Sequence, residues 1–466
     1  MIDHGADVNN NSSSENVRPL HFAPLAIGSQ VEIAHRLRLR LQAKHKTVVG
    51  CEGMFWFFNG QCWQAYDETF LRRLIHDFDG ADYPAGGKTG ILRITDNFIL
   101  GTLACLNDQV SDQTFFSNPQ TGICCNSGFI TVDRQLLPHS PDQRHRYVLP
   151  GSWEPDTNPK NDLLMTFLNG SFKDDPEADI KIRCLRQLAG CIALGYATRL
   201  AQPKAITFWG QSANNGKSQM FELFKALVPA DASCSLSLAG MNNSYFVPQL
   251  AGKLLNVSAE SPDVTIHNME MFKKIITGDD IDGREVRNKR VQFKPQAQHV
   301  FACNRLPSIR GMDNGMLRRL LVISFLRSIP PSEQVERIGA LVAAAEADAL
   351  LAWAVEGATD LLLTGGFLEP PSSRLAIAKW ERSSDSVVAW FDQFVESTGR
   401  SGMRRIDAYE SYRDWMINVE REDRTKVIVM SAFSDRVSEH IGRDVEKVTA
   451  GQRGWRGVVL KKQPSE

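Results

Sequence analysis

No apolar run in this chain approaches the ~20 residues that a membrane-spanning helix needs, so a helical membrane protein is not expected. The opening residues, Met1-Ile-Asp-His-Gly-Ala-Asp7, lack both the basic start and the apolar stretch of a secretory signal. An excess of either charge is missing too. Lys and Arg number 53 against 54 Asp and Glu, a formal net charge of -1. There is no global basic field, and any contact with nucleic acid has to come from local basic clusters. The nine cysteines include no Cys-x-x-Cys pair, which removes the usual zinc-knuckle spacing. Adjacent Cys124 and Cys125 suit neither a simple disulfide nor a zinc site. Cys184 and Cys191, seven apart on a helical pattern, are expected to face one core. All nine read as reduced, mostly buried thiols of a cytosolic protein. Internal repeats are absent.

What is present is ordinary globular material, 42% hydrophobic and 23% charged over 466 residues, enough for two to four domains. The pattern divides into five segments. Residues 1–26, with Asn9-Asn-Asn-Ser-Ser-Ser14, read as a disordered tail. Residues 27–201 read as a mixed α+β domain that ends in helices. It opens with an amphipathic helix from Val31 to Leu41, followed by a hairpin around Asn59-Gly60. Asp174-Asp-Pro-Glu177 reads as an acidic helix start. In residues 202–330, apolar runs of five to seven residues alternate with helices, the signature of a parallel sheet covered on both faces. Residues 331–385 are helical, with a hinge at Pro370-Pro371-Ser-Ser. Residues 386–466 read as helix, helix and basic hairpin, a winged helix-turn-helix, with Ser431 as a cap and Gly442 as a stop.

Three signals for nucleotide chemistry follow one another in the middle segment. Lys204 to Gly210 is a short apolar strand, and Gly210-Gln-Ser-Ala-Asn-Asn-Gly216-Lys217-Ser218 runs from it into a helix. Backbone N–H groups of such a loop can wrap phosphates beside the positive end of the helix. In this reading Gly210, Asn215 and Gly216 shape the loop, Lys217 reaches the β and γ phosphates, and Ser218 holds Mg²⁺. The spacing departs from Gly-x-x-x-x-Gly-Lys-Ser, because position 211 is Gln and the Gly lies one residue earlier. The second signal, Lys253 to Glu260, is an apolar strand that ends in a carboxylate able to bind Mg²⁺ through water or to orient the attacking water. The third, Gln298 to Asn304, ends in an amide able to sense the γ phosphate. Arg318 and Arg319 follow. One of them can stabilise charge on a transferred phosphoryl group, supplied from a neighbouring subunit, and the sequence does not separate the two.

A second group of residues is basic. Gly283 to Lys294 holds five basic residues against one acid and reads as a β-hairpin, with Arg287, Lys289 and Arg290 near its tip. Such a hairpin grips a phosphate backbone without reading sequence. In the last segment Arg436, Arg453, Arg456, Lys461 and Lys462 are candidates for duplex contact.

Taken together these stretches resemble superfamily 3 helicases of the phage, plasmid and poxvirus primase-helicase type. Leu137-Pro-His-Ser-Pro-Asp142 and Phe172-Lys-Asp-Asp-Pro-Glu-Ala178 resemble that family's N-terminal helicase-associated domain. Lys273-Lys-Ile-Ile-Thr-Gly-Asp279 resembles the stretch that leads into its DNA-gripping pore hairpin, which adds Lys274 to the DNA-binding candidates. Leu351 to Gly357 resembles its helical segment, and Tyr409 to Trp415 with Arg456-Gly457-Val458 its winged helix. The resemblance implies an α/β fold with an AAA+ P-loop core. It further implies a homo-hexameric ring that uses ATP and Mg²⁺ to move on single-stranded and forked DNA, 3′ to 5′, in replication of a phage or mobile element inside a bacterial cytoplasm. Lys217, Ser218 and Glu260 would then serve one subunit, Asn304 would sense the nucleotide, and Arg318 or Arg319 would act on the neighbour's ATP. Since only a polar tail precedes residue 28, primase activity is not expected, and a separate primase or other replication proteins are expected partners. An origin-binding initiator that uses ATP for assembly, or an RNA translocase, remains open on sequence grounds.

Overall fold

A computed structural model describes residues 24–212, 214–259, 269–284, 290–307, 309, 313–419, 427–448 and 452–461. The chain divides into two compact units, one formed by Met1–Gln120 with Ser140–Arg146 and the other by Thr121–His139 with Tyr147–Glu466.

The first unit opens with helix α1 (Gln30–His45), whose first turn is held by Ser29 Oγ accepting from the Glu32 N–H at 3.2 Å. Ile33, Leu37 and Leu41 point one way, as a helical period requires, and are buried. Strands β1 (Val48–Cys51), β2 (Met54–Phe58) and β3 (Trp63–Ala65) pair antiparallel. Asn59 Oδ1 closes the β2–β3 turn by accepting from the N–H groups of Gln61 and Cys62, so the Asn59-Gly60 signal marks a real hairpin. Helix α2 (Glu68–His76), the hairpin β4 (Asp82–Ala85) and β5 (Lys88–Ile91), and helix α3 (Asp96–Val110) complete the unit. Leu71, Ile75, Ile99 and Leu106 join the buried face of α1 in one core.

The second unit begins with the antiparallel strands β6 (Gly122–Cys125), β7 (Gly128–Thr131) and β8 (Leu136–Leu137). Helices α4 (Asp162–Ser171) and α5 (Ala178–Leu194) follow. Then come β9 (Ala205–Trp209), α6 (Lys217–Ala226), the two-residue β10 (Ser233–Cys234) and β11 (Leu255–Ala259). Helix α7 (Glu270–Thr277) precedes a hairpin of β12 (Ile281–Arg284) and β13 (Arg290–Phe293). Strand β14 (Gln298–Cys303), the short α8 (Asn314–Leu317) and β15 (Leu320–Ser324) end the core. The sheet is five-stranded and wholly parallel, in the order β10-β11-β14-β9-β15. Its strands are nearly continuous apolar runs because helices cover both faces. The path from β9 crosses to the far edge at β10, whereas β14 passes over to β15 on the other side of β9. In open parallel sheets a ligand crevice forms where the path reverses in this way, outside the carboxyl ends of the strands.

Helices α9 (Ile338–Ala345) and α10 (Ala347–Thr364) follow the core. Helices α5 and α10 touch backbone to backbone at two glycines. A Cβ on Gly190 would lie 2.0 Å from the Ala358 nitrogen, and one on Gly357 would lie 1.8 Å from the Arg186 carbonyl oxygen. Helix α11 (Pro371–Ser384) lies along β15, where Ser373 Oγ accepts from the Val322 N–H at 2.9 Å. Buried Trp380 donates its indole N–H to the Pro307 carbonyl at 2.6 Å. Helix α12 (Ser386–Phe394), capped by Asp385, then leads into β16 (Val395–Arg404) and α13 (Arg405–Asp414). After α14 (Met430–Ile441), strands β17 (Glu446–Lys447) and β18 (Arg453–Leu460) join β16 in an antiparallel sheet ordered β16-β18-β17. Trp390, Tyr412, Phe433 and Trp455 form the core between these helices and strands.

Three local expectations are corrected. Pro371 is no hinge but the first residue of α11, where proline's fixed φ suits a helix start. Ser431 lies inside the first turn of α14, which begins after Val429 with no side-chain cap. The acidic run 174–177, by contrast, stands directly before α5 with Glu177 at its N-cap position, the acidic helix start expected. Asp175 is paired with the buried Lys181 at 2.7 Å, and Glu177 accepts from the Ser372 N–H at 3.0 Å. Cys184 and Cys191 are both fully buried but in different clusters, the second with Ala197, Leu200 and Leu361. All nine cysteines are thiols outside disulfides. Among the described residues no single helix is long and apolar enough to cross a membrane.

Candidate functional site

The loop after β9 occupies the crevice at the carboxyl edge of the sheet. The Gly210 N–H donates to the Cys303 carbonyl of β14 at 3.3 Å, and the Phe325 N–H donates to the Trp209 carbonyl at 2.7 Å. Gly210 is therefore wedged between the two neighbouring strands. A Cβ there would stand 2.3 Å from the Phe325 carbonyl oxygen, 2.6 Å from Asn215 Nδ2 and 3.3 Å from Lys217 Nζ. The glycine at 210 rather than 211 is thus set by space. Gln211, which stands where a regular loop would have its first glycine, is exposed and needs no such clearance.

The rest of the loop turns through two left-handed residues, Asn214 at φ +55° and Gly216 at φ +87°. Asn214 tolerates that region better than most side chains, and glycine is at home in it. A Cβ on Gly216 would also come within 3.0 Å of Ser171 Oγ on α4. Asn215 is buried and braces the loop from inside, with Nδ2 donating to the Ser212 carbonyl at 2.7 Å and reaching the Phe325 carbonyl at 3.5 Å. Lys217 opens α6, and its side chain folds back into the loop, with Nζ donating to the Gly210 carbonyl at 2.8 Å. Only 7% of this lysine is exposed, and burial holds its amine below the usual lysine range. The Cys303 thiol beside it is pushed up to about 12, by burial first and against the pull of Lys217. A desolvated ammonium held at the Gly210 carbonyl suits a polyanion, because charge attraction is strong where water is scarce. Ser218 is exposed on the first turn of α6, next to Lys217, where its hydroxyl is free to meet a hydrated cation. The donor set therefore fits a phosphate chain and its Mg²⁺.

The loop also borders a cavity of about 590 Å³ that sequence reasoning did not find. Thr166 and Phe167 of α4 form one wall, Asn214, Gly216 and Gln219 another, and residues 329–338 the third. The Ile329 N–H donates to the Asn214 carbonyl at 2.9 Å, and Gln219 Oε1 accepts from the Gly339 N–H at 3.2 Å. These links tie the phosphate loop to the segment after β15. No motif announces them, because the partners lie more than a hundred residues apart and each link uses at least one backbone group.

The remaining candidates fall into three places. Asn304 is exposed at the end of β14, one residue beyond the carbonyl that receives Gly210, so it shares the carboxyl edge with the loop. Glu260 lies outside the described residues. Arg318 and Arg319 lie at the opposite edge, because β15 runs parallel to β9 and begins after them. The length of that five-residue strand, roughly 16 Å, separates them from the loop of their own chain. The two arginines differ. Arg319 donates to the Gly315 carbonyl, and its guanidinium is held slightly below the arginine range by burial and by Arg318. Arg318 is exposed, with no hydrogen-bond or ion-pair partner among the described residues.

Of the nucleic-acid candidates, Lys274 is exposed on α7. Strands β12 and β13 pair as the basic hairpin requires, Arg284 opposite Arg290. Its tip, with Arg287 and Lys289, lies outside the described residues, as does the side chain of Arg290. Arg453 and Arg456 are exposed on β18, the latter donating to the Lys447 carbonyl at 3.2 Å. Arg436 is paired with Asp385, and Lys461 Nζ donates to the carbonyls of Asp392 and Gln393. These two are therefore engaged within the fold. Lys462 lies outside the described residues.

Residues 208–319 match a family described as of unknown function (DUF5906), so the match spans the core from the phosphate loop to the arginine pair. Over 284 residues the chain is 27% identical to a protein of Acanthamoeba polyphaga mimivirus named "Putative helicase L207/L206". That match covers 59% of this chain and 24% of the mimivirus protein, so the chain spans about a quarter of its length. Among solved structures, the A-form apo structure of the NrS-1 C-terminal region is similar at a TM-score of 0.45 and 14% identity, covering 91% of this chain and 98% of that one. A second A-form structure of that region, residues 305–718, gives 0.44 and 12% with 90% and 98% coverage.

Proposed function

We propose that this chain is an ATP-dependent DNA helicase motor of the superfamily 3 type with an AAA+ core. The observation that carries the proposal is the loop Gly210–Ser218, with its buried lysine, seated at the carboxyl edge of a parallel sheet beside a cavity large enough for a nucleoside. The name of the mimivirus relative supports the same reading. In this proposal the main-chain N–H groups of residues 211–216 and the N-terminus of α6 take the phosphates. The Lys217 amine leaves the Gly210 carbonyl for the β and γ oxygens, and the base enters the cavity lined by Phe167 and Gln219. Ser218 and Glu260 would hold Mg²⁺, which when bound would supply positive charge at the transferred phosphoryl group. Asn304 reads the presence of that group. Arg318, exposed and distant from its own loop, serves the site of a neighbouring copy in a hexameric ring. Lys274 and the β12–β13 hairpin grip single-stranded DNA, and the fold formed by α12–α14 and β16–β18 acts as a winged helix on the duplex. Movement from 3′ to 5′, replication of a phage or mobile element and a cytoplasmic location belong to the same proposal.

The test is ATP hydrolysis with and without single-stranded DNA, with Lys217→Ala as control. Stimulation by DNA that disappears in the variant is the expected result. Hydrolysis that responds to RNA but not DNA, or to neither, would overturn the helicase assignment.

A further inference from the structure

The carboxy-terminal fold contains a second polar cavity, of about 720 Å³, between the end of α14 and the strands β16 and β18. Ser397, Thr398, His440, Arg443, Arg456 and Gly457 line it. Two guanidinium groups reach it from separate elements and are fixed by main-chain contacts. Arg443 Nη1 donates to the Arg456 carbonyl at 3.0 Å, and Arg456 Nη2 donates to the Lys447 carbonyl at 3.2 Å. Gly457 allows the first of these. It sits at φ +81°, and a Cβ there would come within 2.5 Å of Arg443 Nη1. His440 stands edge-on against Phe391 with ring centroids 4.9 Å apart, which holds the imidazole at the cavity wall. Thr398 carries a buried hydroxyl with no hydrogen-bond partner among the described residues. A buried hydroxyl left without a partner costs free energy that a ligand oxygen or N–H can return. The nearby carboxylates are exposed partners, Asp392 at 3.7 Å from His440 and Glu446 at 3.6 Å from Arg456. Exposed pairs of this kind hold little energy and give way to a charge-assisted contact with a better anion.

We propose that this cavity is a phosphate site that seats one phosphodiester of the nucleic-acid backbone. The argument rests on the nucleic-acid reading given above and adds the point of attachment. Two preorganised guanidiniums and a free hydroxyl offer donors on three sides, the arrangement a tetrahedral phosphate accepts and a flat carboxylate does not fill. The contact is to the backbone, so it positions the fold on a duplex or fork without reading sequence.

The experiment uses the full chain with a fluorescein-labelled forked DNA, read by anisotropy over a range of salt, and inorganic phosphate as competitor. Arg443→Gln and Arg456→Gln are each expected to weaken binding roughly tenfold on all sequences and to lower the salt slope by about one. Thr398→Val is expected to weaken binding by a few fold with no change in slope, since the lost hydroxyl carries no charge. Thermal melting of each variant reports folding. If one arginine variant does not fold, the other and Thr398→Val carry the test. Wild-type affinity and slope in both arginine variants would overturn the proposal. So would loss of phosphate binding with DNA binding intact, which would assign the cavity to a free phosphate compound. The two readings fail separately. DNA-stimulated hydrolysis with unaltered Arg443→Gln binding sinks the cavity alone, whereas a wild type that binds no DNA sinks both.

Discussion

Gly210→Ala isolates the feature that sets this phosphate loop apart. The added methyl group would stand 2.3 Å from the Phe325 carbonyl oxygen, about 1 Å inside ordinary contact. That oxygen is main chain directly after the β9–β15 ladder, where the Phe325 N–H donates to the Trp209 carbonyl at 2.7 Å, so it gives less readily than a side-chain tip. The same methyl would press on Asn215 Nδ2 and Lys217 Nζ, both of which hold the loop closed. Overpacking costs ~1–3 kcal/mol in general, and a main-chain obstacle puts this case near the upper end, about 2–3 kcal/mol. For a unit of this size that corresponds to a fall in melting temperature of about 3–4 °C. Scanning calorimetry of the variant, with binding of a fluorescent ATP analogue alongside, measures both consequences. Weaker nucleotide binding is expected because Asn215 and Lys217 must move. Gln211→Ala, at the exposed neighbouring position, is the control and should stay within about ±0.5 kcal/mol of wild type. A Gly210→Ala protein that melts within about 1 °C of wild type and binds the analogue equally well would refute the wedge argument.

Other outcomes follow from the same geometry. Arg318→Ala should abolish turnover while leaving the melting temperature unchanged, whereas Arg319→Ala should lower stability because that side chain is engaged at Gly315 and beside Asp313; paired ATPase and melting measurements separate the two. His299 is fully buried on β14 and burial holds it at about 3, so it stays neutral in the fold while the unfolded chain takes up a proton below about 6.5. Its contribution is intact above that pH and is lost as pH falls toward 3, about 2 kcal/mol by pH 5, which urea titrations at pH 7 and 5 should detect and which His299→Gln should abolish. Gly357→Ala forces a methyl group onto the Arg186 carbonyl oxygen and should cost more than about 3 kcal/mol, read as loss of folded protein in expression and circular dichroism.

The core strands were legible because each is a short apolar run closed by a polar or small residue. The stretches Lys253 to Glu260 and Gln298 to Asn304 in the sequence hold the strands Leu255–Ala259 and Gln298–Cys303. Lys217 was legible through its neighbours, since a strand and a helix frame it. Strand β10 was not, because two residues carry no period. The role of Gly210 was hidden as well. Its reason lies in the carbonyl of Phe325, 115 positions later, and a local pattern holds no trace of it. Pro370-Pro371 misled for a related cause, since proline marks both a bend and a helix start and only the packing of α11 on β15 decides between them. The cavity walls at residues 329–338 combine Pro, Glu and Gln in an order that local sequence reads as a plain linker.

The placement of α11 has a consequence for how copies of this chain can meet. A parallel sheet has two borders, and an open border is a template on which a foreign strand can add itself. Here one border is the stub Ser233–Cys234, too short to recruit a partner. The other is sealed by α11, whose Ser373 hydroxyl takes up the outward N–H of Val322. Among the described residues, neither border offers a long open edge to a neighbour's strand. Any assembly this core forms must be built from side chains and loops, which can slide and re-form as a bound molecule changes, rather than from a continuous ladder of main-chain bonds that would lock its members together.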